Sequence, residues 1–296
     1  MAAIKNLIIQ GRHGLPILTD IFFEESGSPK PVVIYAHGFN GFKDWGGFDL
    51  VAKAAAAAGF VFVKFNFAFN GTTPAEPEVF ADLDAYAENN YSKELDDLQS
   101  IIDWVWDAEN PYNKEVDTSQ IGLLGHSRGG GIVLIKAAEE LRIKAVTTWA
   151  SVAACKTPWG SWPEDRMLEW KETGIQYIQN GRTHQQMPLH YQLYEDYVEH
   201  SERLDVSAAI GKLKIPVLIC HGTEDTSVPM TSAQALHTAQ PAAALFTLAS
   251  DHVFGRKHPW TEPSLPEATQ EVLSKTLTFF TDQLNVQEPL QATTPI

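Results

Sequence analysis

The sequence predicts an α/β fold with a mostly parallel sheet covered by helices on both faces. Short unbroken apolar runs, such as Pro31 to Ala36 and Ile121 to Leu124, have the pattern of strands buried on both faces. Segments with apolar residues at helical spacing alternate with these runs almost throughout. The chain has 296 residues, 44% of them hydrophobic, enough for a sizeable core. No stretch reaches the roughly 18 uninterrupted apolar residues of a membrane span.

Taken in order, residues 5–10 and 15–24 read as an opening antiparallel hairpin turning around Gly11 and Gly14, at one edge of the sheet. Pro31 to Ala36 is the first buried strand. An alanine-rich helix over Ala52 to Ala58 follows, closed by Gly59 as its C-terminal cap. Phe60 to Phe67 is the next strand, and Gly71 to Asn90 a loop rich in Thr, Pro and Glu. Ser92 has the character of a helix N-cap, with Leu95, Leu98, Ile102 and Val105 at helical spacing after it. Ile121 to Leu124 is a strand that runs almost directly into a helix from Gly130 to Ala138. Ala145 to Trp149, Pro216 to Cys220 and Leu245 to Leu248 complete the strands. The last helix opens at Ser264-Leu265-Pro266-Glu267, which has the spacing of a capping box. Residues from about Cys155 to Ser207 hold no convincing buried strand and are rich in Trp, Tyr, His, Glu and Gln, which predicts a helical cap insertion. Residues 1–285 are thus expected to form one domain, and 286–296 a loosely ordered tail.

The formal charge is −15, from 37 acidic and 22 basic residues, which argues against nucleic acid or an anionic membrane as partner. Cys155 and Cys220 lie in or beside apolar segments without Cys-x-x-Cys or zinc spacing, and read as reduced buried residues. The first ten residues lack a secretory pattern, so a cytoplasmic location is expected, with a trimmed secreted form left open.

Gly125-His126-Ser127-Arg128-Gly129 sits where a strand turns at once into a helix. By composition alone, Gly-x-Ser-x-Gly arises in about one chain in ten of this length. The placement is more informative. Such a turn holds the serine in a strained, exposed geometry, and only glycine on either side lets strand and helix pass. The helix N-terminus behind the serine favours developing negative charge. An acid and a histidine follow at later strand ends, in Ile219-Cys220-His221-Gly222-Thr223-Glu224-Asp225-Thr226-Ser227-Val228-Pro229 and Ala249-Ser250-Asp251-His252-Val253-Phe254.

With these three motifs in the order Ser, acid, His, the chain from about residue 15 to 285 resembles the α/β-hydrolase superfamily. It is most similar to small bacterial serine esterases with prolyl-oligopeptidase-type catalytic domains. The resemblance implies an eight-stranded, mostly parallel sheet with a small helical cap. It also implies a catalytic triad of Ser127 as nucleophile, His252 as base and Asp225 as the acid that orients the imidazole. Glu224 is the nearest competitor and reads as a solvated loop charge. The backbone N–H groups of Arg128 and Phe39 would form the oxyanion hole, the latter from the loop His37-Gly38-Phe39-Asn40-Gly41. His37 would brace that loop. The loop lacks the His-Gly-Gly-Gly form of some lipases, which disfavours bulky tertiary-alcohol esters.

The resemblance implies a carboxylesterase for small or aromatic acyl esters, working through an acyl-enzyme without metal or organic cofactor. Its partner would be a small-molecule ester. A peptidase, amidase or thioesterase uses the same machinery. True prolyl oligopeptidases usually carry a large extra N-terminal domain, for which the residues before Pro31 leave no room. A non-catalytic binding protein of this fold would commonly lose a triad residue. Trp159 and Trp162 would either line an acyl pocket or glue the cap to the sheet. Arg182 would either hold a substrate carboxylate or pin a loop. Oligomeric state is not legible.

Overall fold

The computed structural model describes residues 1–284 and 286. The expected tail, 286–296, lies outside the described residues except for Val286.

Eight strands form one sheet: β1 (Ala2–Gln10), β2 (Pro16–Phe23), β3 (Lys30–Ala36), β4 (Val61–Phe65), β5 (Val116–His126), β6 (Ile143–Trp149), β9 (Val217–Gly222) and β10 (Ala244–Leu248). Their order is β1-β2-β4-β3-β5-β6-β9-β10, parallel from β4 onward and antiparallel at the β1–β2–β4 edge. β3 is buried along almost its whole length, as an apolar strand between two helical layers must be. The opening hairpin is longer than expected, because a bulge between Ile4 and Leu7 lets β1 continue past Lys5. There Asn6 takes φ 55° and its N–H donates to Asp20 Oδ1 at 2.8 Å.

Helices cover both faces. On one side α1 (Phe48–Ala57) and α9 (Glu267–Gln283) pack Phe48, Val51, Val272 and Phe280 against Tyr35, Phe62 and Trp149. On the other lie α3 (Tyr91–Trp106), α4 (Arg128–Glu139), α7 (Val206–Lys212) and α8 (Met230–Ala239), built around Leu98, Ile101, Ile132, Ile210 and Leu236. Gly59 closes α1 at φ 92°, and the Phe60 N–H returns to the Ala55 carbonyl at 3.1 Å. Both cysteines are buried and free. No helix among the described residues is long and apolar enough to cross a membrane.

Two helix starts differ from expectation. Asn90, not Ser92, caps α3: its side chain accepts the Lys93 N–H at 2.9 Å, and Ser92 already lies inside the first turn. Ser264 caps nothing, because Pro266 with ψ 152° occupies the N-cap and makes Glu267 the first helical residue instead of the third. The Thr/Pro-rich loop also contains a short helix, α2 (Leu83–Ala87), capped by Asp82.

The insertion between β6 and β9 holds α5 (Glu164–Thr173) and α6 (Gln192–Glu199), and in addition a hairpin of β7 (Ile175–Gln179) and β8 (Gln186–His190). These strands are five residues each and partly polar, so their alternation is too brief to stand out in the sequence. β8 nevertheless buries Met187 and Leu189.

Candidate active site

β5 delivers Ser127 and α4 begins at the next residue. Ser127 has φ 55° and ψ −120°, a conformation that a non-glycine residue holds only under constraint from its surroundings. The constraint is visible. The Ser127 N–H donates to the Trp149 carbonyl at 2.9 Å, and its carbonyl accepts the Val152 N–H at 3.2 Å. A Cβ on Gly125 would stand 2.3 Å from the Gly129 carbonyl oxygen. One on Gly129 would stand 2.4 Å from the oxygens of Ala36 and His37. The two glycines are therefore demanded by close backbone approach.

The loop after β10 brings His252 over the serine, with Nε2 3.0 Å from Ser127 Oγ. Its Nδ1 lies 2.7 Å from Asp225 Oδ2, in the loop after β9. Asp225 is held in turn: its Oδ1 accepts the N–H groups of Ser227 and Val228, each at 2.8 Å. Burial opposes ionisation of Asp225. Hydrogen bonds from His221, His252 and the Val228 N–H outweigh it and hold the carboxyl well below the usual carboxylate range. Glu224 is exposed and takes no part.

Phe39 lies beside the serine on the loop after β3, and a Cβ on Gly38 would stand 3.0 Å from Ser127 Cβ. Among the described residues, the backbone N–H groups of Phe39 and Arg128 donate to no carbonyl or side chain. His37 braces this loop: its Nδ1–H donates to the Gly38 carbonyl at 2.9 Å and its Nε2 accepts the Phe67 N–H at 3.2 Å. Burial, with the Arg128 charge adding to it, lowers His37 to about 4, so the ring stays neutral.

The Arg128 side chain turns away from the serine into the α3 face. Its Nε donates to Glu94 at 2.9 Å, and its guanidinium lies 3.8 Å from the centre of the Tyr91 ring. In the sequence His126 stands out only as part of the serine motif. Its Nε2–H donates to the His252 carbonyl at 3.0 Å, tying the histidine loop to the serine turn.

A cleft of about 210 Å³ opens at Ser127, walled by Phe39, Asn40, Trp45, His126 and His252, with Tyr35 and Arg256 also lining it. Trp45, Tyr35 and Arg256 escape sequence reasoning, because nothing in the chain marks which aromatic or basic residues face inward. A broader groove of about 560 Å³ between α1 and α9 shares no residue with this cleft.

Trp159, Trp162 and Arg182 are not among the residues that line the cleft. Trp159 sits in an aromatic cluster with Tyr91, Trp170, Tyr194 and Tyr197. Trp162 packs edge-on to Trp170 and under the Arg166 guanidinium at 3.8 Å. Arg182 is exposed, with its guanidinium 5.8 Å from the Phe42 ring centre.

Several solved structures share this architecture. Est1E from Butyrivibrio proteoclasticus superposes with a TM-score of 0.65 at 18% identity, covering 94% of this chain and 98% of that one. The α/β hydrolase GrgF from Penicillium sp. sh18 superposes with a TM-score of 0.68 at 17% identity, covering 96% and 100%. The esterase domain of a Rhodothermus marinus protein gives 0.62 at 17% identity, covering 94% and 98%. An uncharacterised protein of Pseudomonas aeruginosa is 24% identical over 146 residues, or 49% of this chain; the match spans 36% of that relative's length. A model of the BD-FAE family matches residues 19–239, well over half of the chain. That match means that the chain belongs to the BD-FAE family, and its eight-stranded sheet has the α/β-hydrolase fold.

Proposed function

We propose that the protein is a serine carboxylesterase that cleaves small or aromatic acyl esters through an acyl-enzyme. One observation carries the reading: Ser127, His252 and Asp225 form an unbroken line of contacts at 3.0 and 2.7 Å. Serine alone is a poor nucleophile at neutral pH, and this line supplies a base and an orienting carboxylate.

In the first half of the cycle Ser127 Oγ attacks the ester carbonyl carbon while its proton passes to His252 Nε2. The carbonyl oxygen becomes an oxyanion and accepts the N–H groups of Phe39 and Arg128 at the positive end of α4. The intermediate collapses, the C–O bond breaks, and the alcohol leaves with the proton from His252. In the second half, water gives a proton to His252 and attacks the acyl carbon, and Ser127 Oγ departs with that proton. The cycle calls on no metal or organic cofactor.

The cleft is smaller than the roughly 300–1,000 Å³ that hold drug-sized ligands, which supports a small acyl group. Est1E, similar in fold, has been solved with ferulic acid bound, in keeping with an aromatic acid. In this reading the chain through α9 acts as one hydrolase domain, and the insertion between β6 and β9 is its cap.

The test is labelling with a fluorophosphonate, read by intact mass, on wild type and Ser127→Ala. A single adduct on wild type that disappears in the variant, together with turnover of a chromogenic acetate or butyrate ester, is the expected result. Folded wild type that takes no adduct overturns the reading.

A further inference from the structure

Arg256 lies four residues past His252 and is 3% exposed. Its Nε donates to the Val253 carbonyl at 2.9 Å. The guanidinium stacks 4.6 Å from the Phe48 ring centre, with Trp149 and Trp45 at 5.6 and 5.7 Å. Aromatic faces satisfy the plane of the cation but not its donor edge. Nη1 and Nη2 are both buried and have no hydrogen-bond partner among the described residues. Asp251, the carboxylate whose field reaches Arg256, is exposed and makes no hydrogen bond to it; its Oδ1 accepts the N–H groups of Val253 and Gly255.

A buried cation with an unpaired donor edge is costly to maintain, and an anion that reaches that edge from the cleft removes the cost. The position is informative as well. Arg256 lines the same cleft as Ser127 and His252, and no Asp, Glu or Lys lines it. A chain of net charge −15 therefore lines its serine cleft with a positive charge and no carboxylate. Tyr35 lines the cleft too, and burial raises its phenol above the ordinary range, so it offers a neutral hydroxyl.

The geometry points to an anion subsite at Arg256, which takes the far carboxylate of an acyl group whose ester carbonyl sits at Ser127. The substrate class is then esters of short dicarboxylic acids that keep one carboxylate free. This deepens the serine-esterase reading and rests on it. The acyl half is the part held covalently while the alcohol departs, so an anchor there acts through both halves of the cycle. The planar guanidinium edge matches a carboxylate with two parallel hydrogen bonds.

The test compares monomethyl esters of butanedioic, pentanedioic and hexanedioic acids with methyl esters of the monoacids of equal chain length, in a pH-stat. In wild type, kcat/KM for at least one diacid monoester is expected to exceed its neutral counterpart by about tenfold or more, the scale of a charge-assisted hydrogen bond. In Arg256→Gln that ratio is expected to fall to about one. A wild-type ratio near one, on protein that takes the fluorophosphonate and turns over the neutral esters, overturns the anion subsite and leaves the esterase reading standing. So does a ratio that Arg256→Gln leaves unchanged. Failure of labelling and of all ester turnover overturns the esterase reading instead. If Arg256→Gln does not fold, the wild-type ratio decides.

Discussion

Asp225 is the residue whose surroundings say most about how the site would work. Two backbone N–H groups fix one carboxylate oxygen and His252 takes the other, so the side chain has no freedom to swing. Asp225→Asn keeps the shape but reverses the hydrogen-bond polarity toward His252 Nδ1. Ester turnover should fall by about three to four orders of magnitude with little loss of folded protein, checked by steady-state kinetics beside circular dichroism. The same environment predicts the pH profile. Asp225 stays ionised far into acid, so its own protonation should add no limb to kcat/KM in the ordinary carboxylate range. A loss of rate in that range that Asp225→Asn removes would count against this. The serine turn is legible in the sequence because backbone contact at Gly125 and Gly129 forbids any other residue. Arg256 is not legible, since a lone Arg in a polar loop gives no sign that three aromatic rings enclose it. Trp159 and Trp162 show the converse: richness in tryptophan marks a buried cluster without saying whether it faces substrate or cap.

At the scale of the element, α3 bears unusual weight for a surface helix. It buries Glu94 and Asp97 on the face toward the sheet. Glu94 holds Arg128, and with it the first turn of α4. Glu94→Ala would leave that guanidinium buried without its partner and should cost about 3–5 kcal/mol in urea unfolding; Glu94→Gln, which keeps an acceptor, should cost less. Asp97 acts with the opposite sign. Burial raises its carboxyl to about 8, against the Ala68 N–H that favours the anion. The folded pKa lies above the unfolded one, so its contribution is fully present below about pH 4 and is lost as pH rises through 8. Asp97→Asn keeps the acceptor for Ala68 and cannot ionise. It should stabilise the protein by up to about 5 kcal/mol at pH 8 and by nothing near pH 4, measured as a shift in urea midpoint. A constant difference across that range would exclude the titration. The start of this helix is ambiguous in the sequence because Asn90 and Ser92 are both good caps, and only the turn of the chain chooses Asn90.

At the scale of the molecule, the antiparallel edge is bound to the parallel sheet by charge as well as by strand pairing. Asp20 on β2 faces Lys64 on β4, and Lys43, Asp44, Asp49 and Lys5 complete an alternating cluster. Its three carboxylates stand close enough to hold a cation, and the three ammonium groups already occupy that role. Lys64 is fully buried. Lys64→Met should therefore destabilise the whole protein by about 3–5 kcal/mol, although the new side chain is apolar, because Asp20 loses a partner. Thermal unfolding checks it, and a change under about 1 kcal/mol would mean that the other lysines compensate. The sheet itself was legible: unbroken apolar runs mark strands that have no solvent face. This cluster was not, because Lys64 interrupts such a run and a single charge in a strand reads as an edge or an error.

The strand order also bears on biosynthesis. β3 finds its neighbours β4 and β5 among residues that follow it on the chain, and the serine turn can close once β6 has formed, because Ser127 bonds to Trp149 and Val152. Asp225 and His252 come later, on loops after the last two strands. β10, the edge strand opposite β1, is also the last of the sheet to leave the ribosome. A chain stalled before it would carry a formed serine turn with no base above it. On the proposed reading, ester turnover would begin only once the loop after β10 is in place, and shorter translation intermediates would be chemically silent toward the esters around them.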